Sequence, residues 1–242
     1  MWWLAVLGCI AALGAAALLD APLSAWALGW PVPVQSFMRL VTNLGLSDWI
    51  LIPSAVLFLI TAALAFAVRW RLMRTMLWQL AGLYGFFFLG VGLPGLIAAL
   101  LKRLIGRARP VHLLDSGLFY FRPSWIDWTY QGFPSGHATT TFAMAMVTAF
   151  VWPRLFYPAL AVAILVGISR VAVGAHYPTD VVGGAILGVL GAYVVRWAFA
   201  RRGWLFVVGR DGRILPRPLA SIQRYVALKR RDIAPVPRPD RP

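Results

Sequence analysis

Long apolar segments constrain what this chain can fold into more than any other feature of its sequence. Of its 242 residues, 60% are hydrophobic and 13% are charged, whereas about a quarter of the residues in soluble proteins are charged. A helix that crosses a bilayer needs about 20 mostly apolar residues, and six segments approach or reach that length. The sequence therefore predicts an all-α fold, a multi-pass membrane bundle of six transmembrane helices. The six segments are Trp2–Leu19, Ile50–Val68, Leu77–Leu101, His137–Trp152, Pro158–Val173 and Val181–Ala200.

The first segment has two interpretations. The sequence Ala25-Trp26-Ala27 has the small-residue pattern of a signal-peptide cleavage site. No Lys or Arg precedes the apolar run, and this favours an uncleaved helix. The fourth and fifth segments are short and need a few flanking residues to span. We expect residues 1–200 to form one membrane domain.

The distribution of basic residues orients the bundle, because Lys and Arg concentrate on the cytoplasmic side. If the N-terminus is cytoplasmic, the inner side receives 15 of the 23 basic residues. These are Arg69, Arg71, Arg74, Arg154 and the 11 that follow Ala200. The outer side receives Arg39, Lys102, Arg103, Arg107, Arg109, Arg122 and Arg170. We therefore expect a protein of the cell (inner) membrane with both termini in the cytoplasm.

Residues 201–242 are predicted to be a basic, disordered cytoplasmic tail. The segment is rich in Arg and Pro, and the chain as a whole has a formal net charge of +15. Anionic lipid headgroups explain such a tail most simply, since each basic residue near them contributes on the order of 1 kcal/mol. No recognition helix or aromatic RNA-binding pattern accompanies the charge, so we do not expect nucleic acid as a partner.

Three clusters of polar residues fall on the predicted outer face, in KRLIGRARP, FPSGHATTT and SRVAVGAHYPTD. Lys102 and Arg109 are seven residues apart, about two helical turns, so both can face one direction. Two cations at a membrane edge could also reach toward headgroups. Arg170 arrives from another helix and would make a basic pocket, which suits the oxygens of a phosphate.

The PSGH sequence predicts a helix start that binds an anion. Ser135 is a good N-cap for the fourth segment, and Gly136 would let the backbone approach a ligand closely. The alternative is an ordinary capped helix that follows a turn at Pro134.

His137 and His176 are two of the three histidines in the chain. Neither has the Cys, Asp or Glu neighbours that would complete a metal site, and the lone Cys9 lies in the first apolar segment. A single histidine at a helix end often has a structural role. His176, however, precedes Asp180 by four residues, and Pro178 can begin the sixth helix. A carboxylate in that position can hold one imidazole nitrogen and leave the other free to act as a nucleophile.

Taken together, these residues resemble a known three-part signature. The parts are Lys102-x6-Arg109-Pro110, Pro134-Ser135-Gly136-His137 and Ser169-Arg170-x5-His176-x3-Asp180. Their order and spacing are similar to those of the type 2 phosphatidic acid phosphatase superfamily. The motifs cover residues 102–180, and the helix layout extends the resemblance over residues 50–200. The first 50 residues and the tail do not contribute to it.

The resemblance implies a role for each motif residue. His176 would attack phosphorus to form a phosphohistidine, and Asp180 would hold its ring. His137 would protonate the leaving oxygen and then activate water. The phosphate oxygens would be bound by Lys102, Arg109, Arg170, the Ser135 hydroxyl and the Gly136 amide. No metal or other cofactor would be needed, because fixed cations can neutralise a transferring phosphoryl group.

The predicted function is hydrolysis of a lipid phosphate or diphosphate at the extracytoplasmic leaflet. Phosphatidate, phosphatidylglycerophosphate, undecaprenyl diphosphate and a lipid A phosphate all remain candidate substrates, and the oligomeric state is open. The same residues would also serve a phosphotransferase, and a non-enzymatic anion transporter is a further alternative. The apolar outer loop between Val111 and Phe133 could cover the site or admit lipid, or could simply anchor the protein. His112 in that loop matches no motif position.

Overall fold

The computed structural model describes residues 2–209 and 211–216 of the chain. Eight α-helices and two short strands account for most of that part of the protein. The helices are α1 (Trp2–Leu28), α2 (Val32–Thr42), α3 (Asp48–Ala67), α4 (Arg71–Ile105), α5 (Leu113–Ser116), α6 (Gly136–Val151), α7 (Phe156–Ala172) and α8 (Pro178–Arg201). The strands are β1 (Phe206–Val208) and β2 (Ile214–Pro216).

Each of the six predicted segments coincides with a helix, namely α1, α3, α4, α6, α7 or α8. Within the described residues, five helical stretches are long and apolar enough to cross a membrane. They are Trp3–Ala27, Val32–Ala67, Arg71–Ile105, Pro153–Ala172 and Pro178–Arg201. At 16 residues, α6 is shorter than the usual span of about 20.

Two helices, α1 and α4, extend well beyond the apolar runs that predicted them. α1 continues to Leu28 and therefore contains Asp20, and α4 covers 35 residues up to Ile105. Gly106 follows the last residue of α4 and caps the helix. Its φ of 68° is in the left-handed conformation that glycine tolerates best. α2 was not predicted, because an 11-residue helix is too short to be recognised as a span.

The α6 and α8 helices pack closely through two glycines. A Cβ atom on Gly184 would lie 2.4 Å from the Ser135 carbonyl oxygen, and one on Gly188 would lie 2.4 Å from the Thr139 carbonyl oxygen. Any larger residue would push the helices apart, as is usual where small residues line a membrane helix interface. α4 packs against both α6 and α8, and α3 packs against α4.

Part of the segment predicted to be a disordered tail is ordered. Strands β1 and β2 pair antiparallel, with Val207 opposite Leu215. Phe206 is fully buried and packs edge-on against Phe86 of α4, with ring centroids 4.8 Å apart. This hairpin closes the core at the end of the bundle that lies away from the motif residues. The remainder of the predicted tail, residues 217–242, lies outside the described part of the chain.

Candidate active site

The predicted site residues come together at one end of the bundle. Lys102 lies in the last turn of α4, Arg170 in the last turn of α7 and Asp180 in the first turn of α8. Backbone hydrogen bonds join the starts of α6 and α8 and connect the end of α7 to the residue His176 before α8. The Ser135 N–H donates to the Asp180 carbonyl oxygen at 2.9 Å, and the His176 N–H donates to the Arg170 carbonyl oxygen at 3.2 Å.

His176 and Asp180 have the relationship that their spacing predicts. Pro178 begins α8, so Asp180 lies in its first turn and His176 lies just before it. The His176 Nδ1 atom is 3.5 Å from Asp180 Oδ2, which is within ion-pair range but long for a hydrogen bond. The same Oδ2 accepts a hydrogen bond from the Tyr177 N–H at 2.9 Å. Asp180 is fully buried and His176 is nearly so.

Arg107 binds the other oxygen of Asp180. Its Nη1 donates to Asp180 Oδ1 at 2.6 Å, and its Nη2 donates to Asp20 Oδ2 at 2.7 Å. The guanidinium also lies 4.6 Å from the Tyr177 ring centroid. Two acidic residues from α8 and α1 therefore share one buried arginine.

Neither Arg107 nor Asp20 was predicted to be part of the site. Arg107 was grouped with the basic residues of the outer face, and the first predicted segment ended at Leu19, one residue before Asp20. A signal was present, because a lone acidic residue inside an apolar helix is a functional candidate by default. The motif resemblance did not extend to the first 50 residues, yet Asp20 of α1 contacts Arg107 directly.

Lys102, Arg109 and Arg170 lie close to His137, and the two arginines also lie close to His176. Lys102 interacts electrostatically with both arginines, and the positive charges of all three cations repel a protonated His137. The Arg170 Nη1 atom donates to the Thr42 hydroxyl of α2 at 2.6 Å. Arg109 lies over the Trp128 ring at 4.9 Å from its centroid and makes a long hydrogen bond to the Gln131 carbonyl oxygen at 3.4 Å. Each arginine is thus held by the protein at one edge.

The start of α6 lies beside these cations. Ser135 occupies the N-cap position as predicted, but its hydroxyl makes no capping hydrogen bond. The buried Ser135 Oγ, Arg109 Nε and Arg170 Nε have no hydrogen-bond partner within the part of the protein that the structure describes. A Cβ atom on Gly136 would meet nothing within 4 Å, so the backbone there is open to a ligand. These features fit an anion with several oxygens.

The neighbouring charges and burial shift the ionisation of three residues in the loops. Burial lowers the pKa of His176 to about 4, although Asp180 raises it in part. His176 is therefore neutral at pH 7 with a free lone pair. Burial alone would lower the pKa of Arg107, but the Asp180 and Asp20 carboxylates raise it above its ordinary value. Burial also lowers the pKa of Arg109, with Asp180 opposing it.

The described residues contain an apolar cavity away from the motifs and no cluster of metal ligands. Among residues 2–209 and 211–216, no group of three or more His, Cys, Asp or Glu side chains could hold a metal ion. An apolar cavity of about 890 Å³ lies between α3, α4 and the turn after α8. None of its lining residues belongs to the three motifs.

The loop between α4 and α6 presents apolar side chains on the outside of the site. Leu114 and Ile126 are 97% and 96% exposed, and Trp125 and Trp128 are also exposed. His112 stacks on Tyr130 and its Nε2 lies 2.8 Å from the Thr129 hydroxyl, so it has a structural role in this loop.

Comparisons with known proteins identify the family to which the chain is similar. A family model described as the PAP2 superfamily matches residues 83–204. That range begins in α4, ends just after α8 and includes all three motifs.

A curated relative matches most of the chain. The lipid A 1-phosphatase of Rhizobium johnstonii is 38% identical over 207 residues, which cover 84% of this chain and 82% of that protein. The decaprenylphosphoryl-5-phosphoribose phosphatase of Mycobacterium tuberculosis is 38% identical over 103 residues, which cover 40% of this chain and 51% of that protein.

A solved structure has a similar fold. The crystal structure of a transmembrane PAP2-type phosphatidylglycerolphosphate phosphatase from Bacillus subtilis matches with a TM-score of 0.51 and 26% identity. The match covers 81% of this chain and 96% of that chain.

Proposed function

The chain belongs to the PAP2 superfamily, and from this membership we propose that it removes a phosphate from a lipid by way of a phosphohistidine at His176. The resemblance predicted from the three motifs is confirmed by the family model and by the relative that covers most of the chain. The chain is a membrane phosphatase of this superfamily, a hydrolase of phosphate esters.

The observation that carries the mechanism is the position of His176 between a carboxylate and a group of cations. Asp180 lies on the Nδ1 side of the ring, so we assign the proton to Nδ1 and the nucleophilic lone pair to Nε2. Attack forms an N–P bond and breaks the bond from phosphorus to the lipid oxygen. Lys102, Arg109 and Arg170 stabilise the charge that spreads over the equatorial oxygens, with the Ser135 hydroxyl and the Gly136 amide as further donors.

His137 acts on the leaving oxygen and then on water. In the first step its imidazolium gives a proton to the departing lipid oxygen. In the second step the neutral ring takes a proton from water, the resulting hydroxide attacks phosphorus, and the N–P bond breaks. The electron pair returns to His176 Nε2 and inorganic phosphate leaves. The step requires no group beyond the chain's own residues and water.

The proposed substrate is the 1-phosphate of a lipid A. The support is the relative of that name, which is similar over most of both chains, whereas the prenyl-phosphate relative matches 40% of this chain. The other lipid phosphates considered above become comparators in the assay. Because the motif residues are proposed to bind only the phosphate, we propose that the apolar surface around the site selects the lipid portion.

We propose that the chain crosses the membrane six times, with α6 added to the five long helical stretches. We also propose that the active site lies at the extracytoplasmic surface. The 16 residues of α6 cover about 24 Å, and the helix packs among α4, α7 and α8. Arg69, Arg71, Arg74 and Arg154 lie at the opposite end of these helices, which the positive-inside rule assigns to the cytoplasm. We propose that the tail lies near anionic lipids of the cytoplasmic leaflet.

The experiment that tests the proposal is phosphate release by purified protein in detergent, with EDTA present, from lipid A, phosphatidylglycerophosphate, phosphatidate and undecaprenyl diphosphate. We expect release from lipid A that tolerates EDTA and is lost in His176→Ala. Preference for another lipid would overturn the substrate. Full activity in His176→Ala would overturn the nucleophile, and lipid-to-lipid phosphate transfer without release would identify a phosphotransferase. No turnover, with phosphate binding that survives the substitution, would favour a transporter.

A further inference from the structure

Asp20 is the acidic residue of α1, a helix whose other residues are almost all apolar. Its side chain is fully buried. A carboxylate in such surroundings is costly unless both oxygens find strong partners. The partners of Asp20 therefore indicate why the chain keeps a charge there.

Both oxygens of Asp20 are bound, and both partners lead to the nucleophile. Oδ2 accepts a hydrogen bond from Arg107 Nη2 at 2.7 Å, and Oδ1 accepts one from the Thr179 backbone N–H at 2.9 Å. Thr179 is in the first turn of α8, directly before Asp180. Asp20 thus satisfies one of the free amides at the start of the helix that carries Asp180.

Arg107 completes the connection. Its two terminal nitrogens reach two different carboxylates, Asp20 at 2.7 Å and Asp180 at 2.6 Å, and Nη2 also donates to the Leu118 carbonyl oxygen at 3.2 Å. The planar guanidinium can bridge two carboxylates in this way, whereas an ammonium group cannot hold the same fork. Asp20, Arg107, Asp180 and His176 therefore form one continuous chain of contacts.

The charges in this chain have a direct consequence for His176. Arg107 paired with Asp180 alone would leave a neutral pair beside the imidazole. Because Asp20 shares the arginine, the three groups carry a net charge of −1, and Asp180 keeps negative charge on the oxygen that faces His176 Nδ1. Such charge stabilises the positive ring that forms when Nε2 bonds to phosphorus. The other charged or titratable groups around His176 are Arg109, Arg170 and His137.

We infer that Asp20 and Arg107 are positioning residues for the nucleophile, fixing the orientation and charge of Asp180 so that His176 keeps its proton on Nδ1. The inference rests on the proposed function for its effect on catalysis. The geometry that it concerns is independent of substrate and can be measured in the resting protein.

The test compares wild type with Asp20→Asn and Arg107→Lys, using Asp48→Asn as the matched control. Asp48 is exposed at the start of α3 and contacts only the neighbouring Ser47 among the described side-chain hydrogen bonds. Turnover is measured with saturating lipid phosphate, and folding is checked by gel filtration and thermal unfolding in detergent. The tautomer of His176 is read at neutral pH by NMR of protein labelled only at histidine, since the chain has 3 histidines to assign.

We expect Asp20→Asn and Arg107→Lys to lower kcat by about 30-fold with little change in KM, because a misplaced or less charged Asp180 affects the chemical step. Both variants should also show the Nε2–H tautomer of His176, whereas wild type and Asp48→Asn should show Nδ1–H. If Asp20→Asn does not fold, Arg107→Lys decides the question through the same two readouts.

Wild-type turnover and tautomer in both folded variants would overturn the inference. So would a loss of thermal stability with neither kcat nor tautomer changed, since that pattern indicates a purely structural ion pair. If wild type hydrolysed no phosphate at all, the proposed function would fail, and the tautomer comparison would still decide whether Asp20 acts on His176.

Discussion

The Arg170 guanidinium donates from Nη1 to the hydroxyl of Thr42 at 2.6 Å, across 128 residues of sequence. Arg170 lies in the last turn of α7 and Thr42 is the last residue of α2. This contact fixes one edge of the arginine and leaves the buried Nε without a partner among the described residues. The short helix α2, which was not predicted from the sequence, therefore helps to orient a cation that we propose binds phosphate.

We expect Thr42→Val to lower kcat/KM by about 10-fold, mainly through KM. The substitution keeps the side-chain shape and removes the acceptor, so a charged donor loses a hydrogen bond worth about 1.5–3 kcal/mol. Arg170 would then sample other positions before it binds phosphate. Steady-state kinetics with a lipid phosphate in detergent micelles measures the change.

Thr75→Val is the control for this prediction. Its hydroxyl donates to the Arg71 carbonyl oxygen at 2.9 Å at the other end of the bundle, and the residue is exposed. We expect its kcat/KM to stay within about twofold of wild type. Equal kinetics for Thr42→Val and wild type would show that the Thr42 contact does not orient Arg170 for binding.

Gly136→Ala should separate activity from stability. The added methyl group meets no protein atom within 4 Å, because it points into open space at the start of α6. Alanine favours the helix over glycine by about 0.5–1 kcal/mol, so thermal stability should hold or rise. If the Gly136 amide binds phosphate, the methyl group blocks that approach, and we expect kcat/KM to fall by about 100-fold.

Gly82→Ala provides the comparison for Gly136, since it too has nothing within 4 Å and lies in the middle of α4. We expect normal activity in that variant. Inhibition by inorganic phosphate should weaken in Gly136→Ala and not in Gly82→Ala. Unaltered activity and phosphate inhibition in Gly136→Ala would place the phosphate elsewhere.

The low pKa of His176 predicts a loss of stability in acid. Burial lowers the pKa of His176 from the ordinary 6.5 to about 4. Between these values the unfolded chain binds a proton at this residue and the folded protein does not. The stabilising effect of the neutral ring is therefore fully present above pH 6.5 and is lost as the pH falls toward 4.

His176→Gln isolates that contribution, because glutamine does not titrate. We expect the apparent unfolding temperature of wild type to fall more steeply than that of His176→Gln between pH 7 and pH 5. Thermal unfolding in detergent at a series of pH values measures both curves. Parallel curves would mean that His176 titrates in the folded protein as it does in the unfolded chain.

The part of the site that lies close together in sequence was predictable, and the part assembled from distant helices was not. Pro178 predicted the start of α8, and hence that His176 lies just before this helix and Asp180 in its first turn. The PSGH sequence predicted the start of α6. These follow from local backbone chemistry.

The contacts of Asp20 with Arg107 and of Thr42 with Arg170 depend on which helix faces meet. Apolar periodicity does not specify those faces in a membrane protein, because the surfaces toward lipid and toward protein are both apolar. Asp20 was detectable as an isolated acid in α1, but its partner 87 residues away could be identified only in three dimensions.

The exposed apolar side chains of the outer loop indicate how a lipid reaches the site. Leu114 and Ile126 are almost fully exposed, and Arg109 of the site lies directly over Trp128 of the same loop. Each large apolar side chain gains about 1.5–3 kcal/mol when it leaves water. If the loop lies in the bilayer interface, it holds the entrance of the site at the level of lipid phosphates. We expect Leu114→Ser combined with Ile126→Ser to lower activity on a long-chain lipid phosphate in vesicles by about 10-fold or more.

The same double variant should hydrolyse a short-chain, water-soluble phosphate as well as wild type does. The reason is that the side chains of Leu114 and Ile126 are almost fully exposed and do not pack against the site. Leu155→Ser serves as the control, because Leu155 is 47% exposed at the opposite end of the bundle. Its activity should match wild type on both substrates. Equal loss on the short-chain and long-chain substrates would point to a damaged site, and no loss on either would show that the loop does not deliver lipid. The ratio of the two activities therefore measures the loop's role separately from the chemistry at His176.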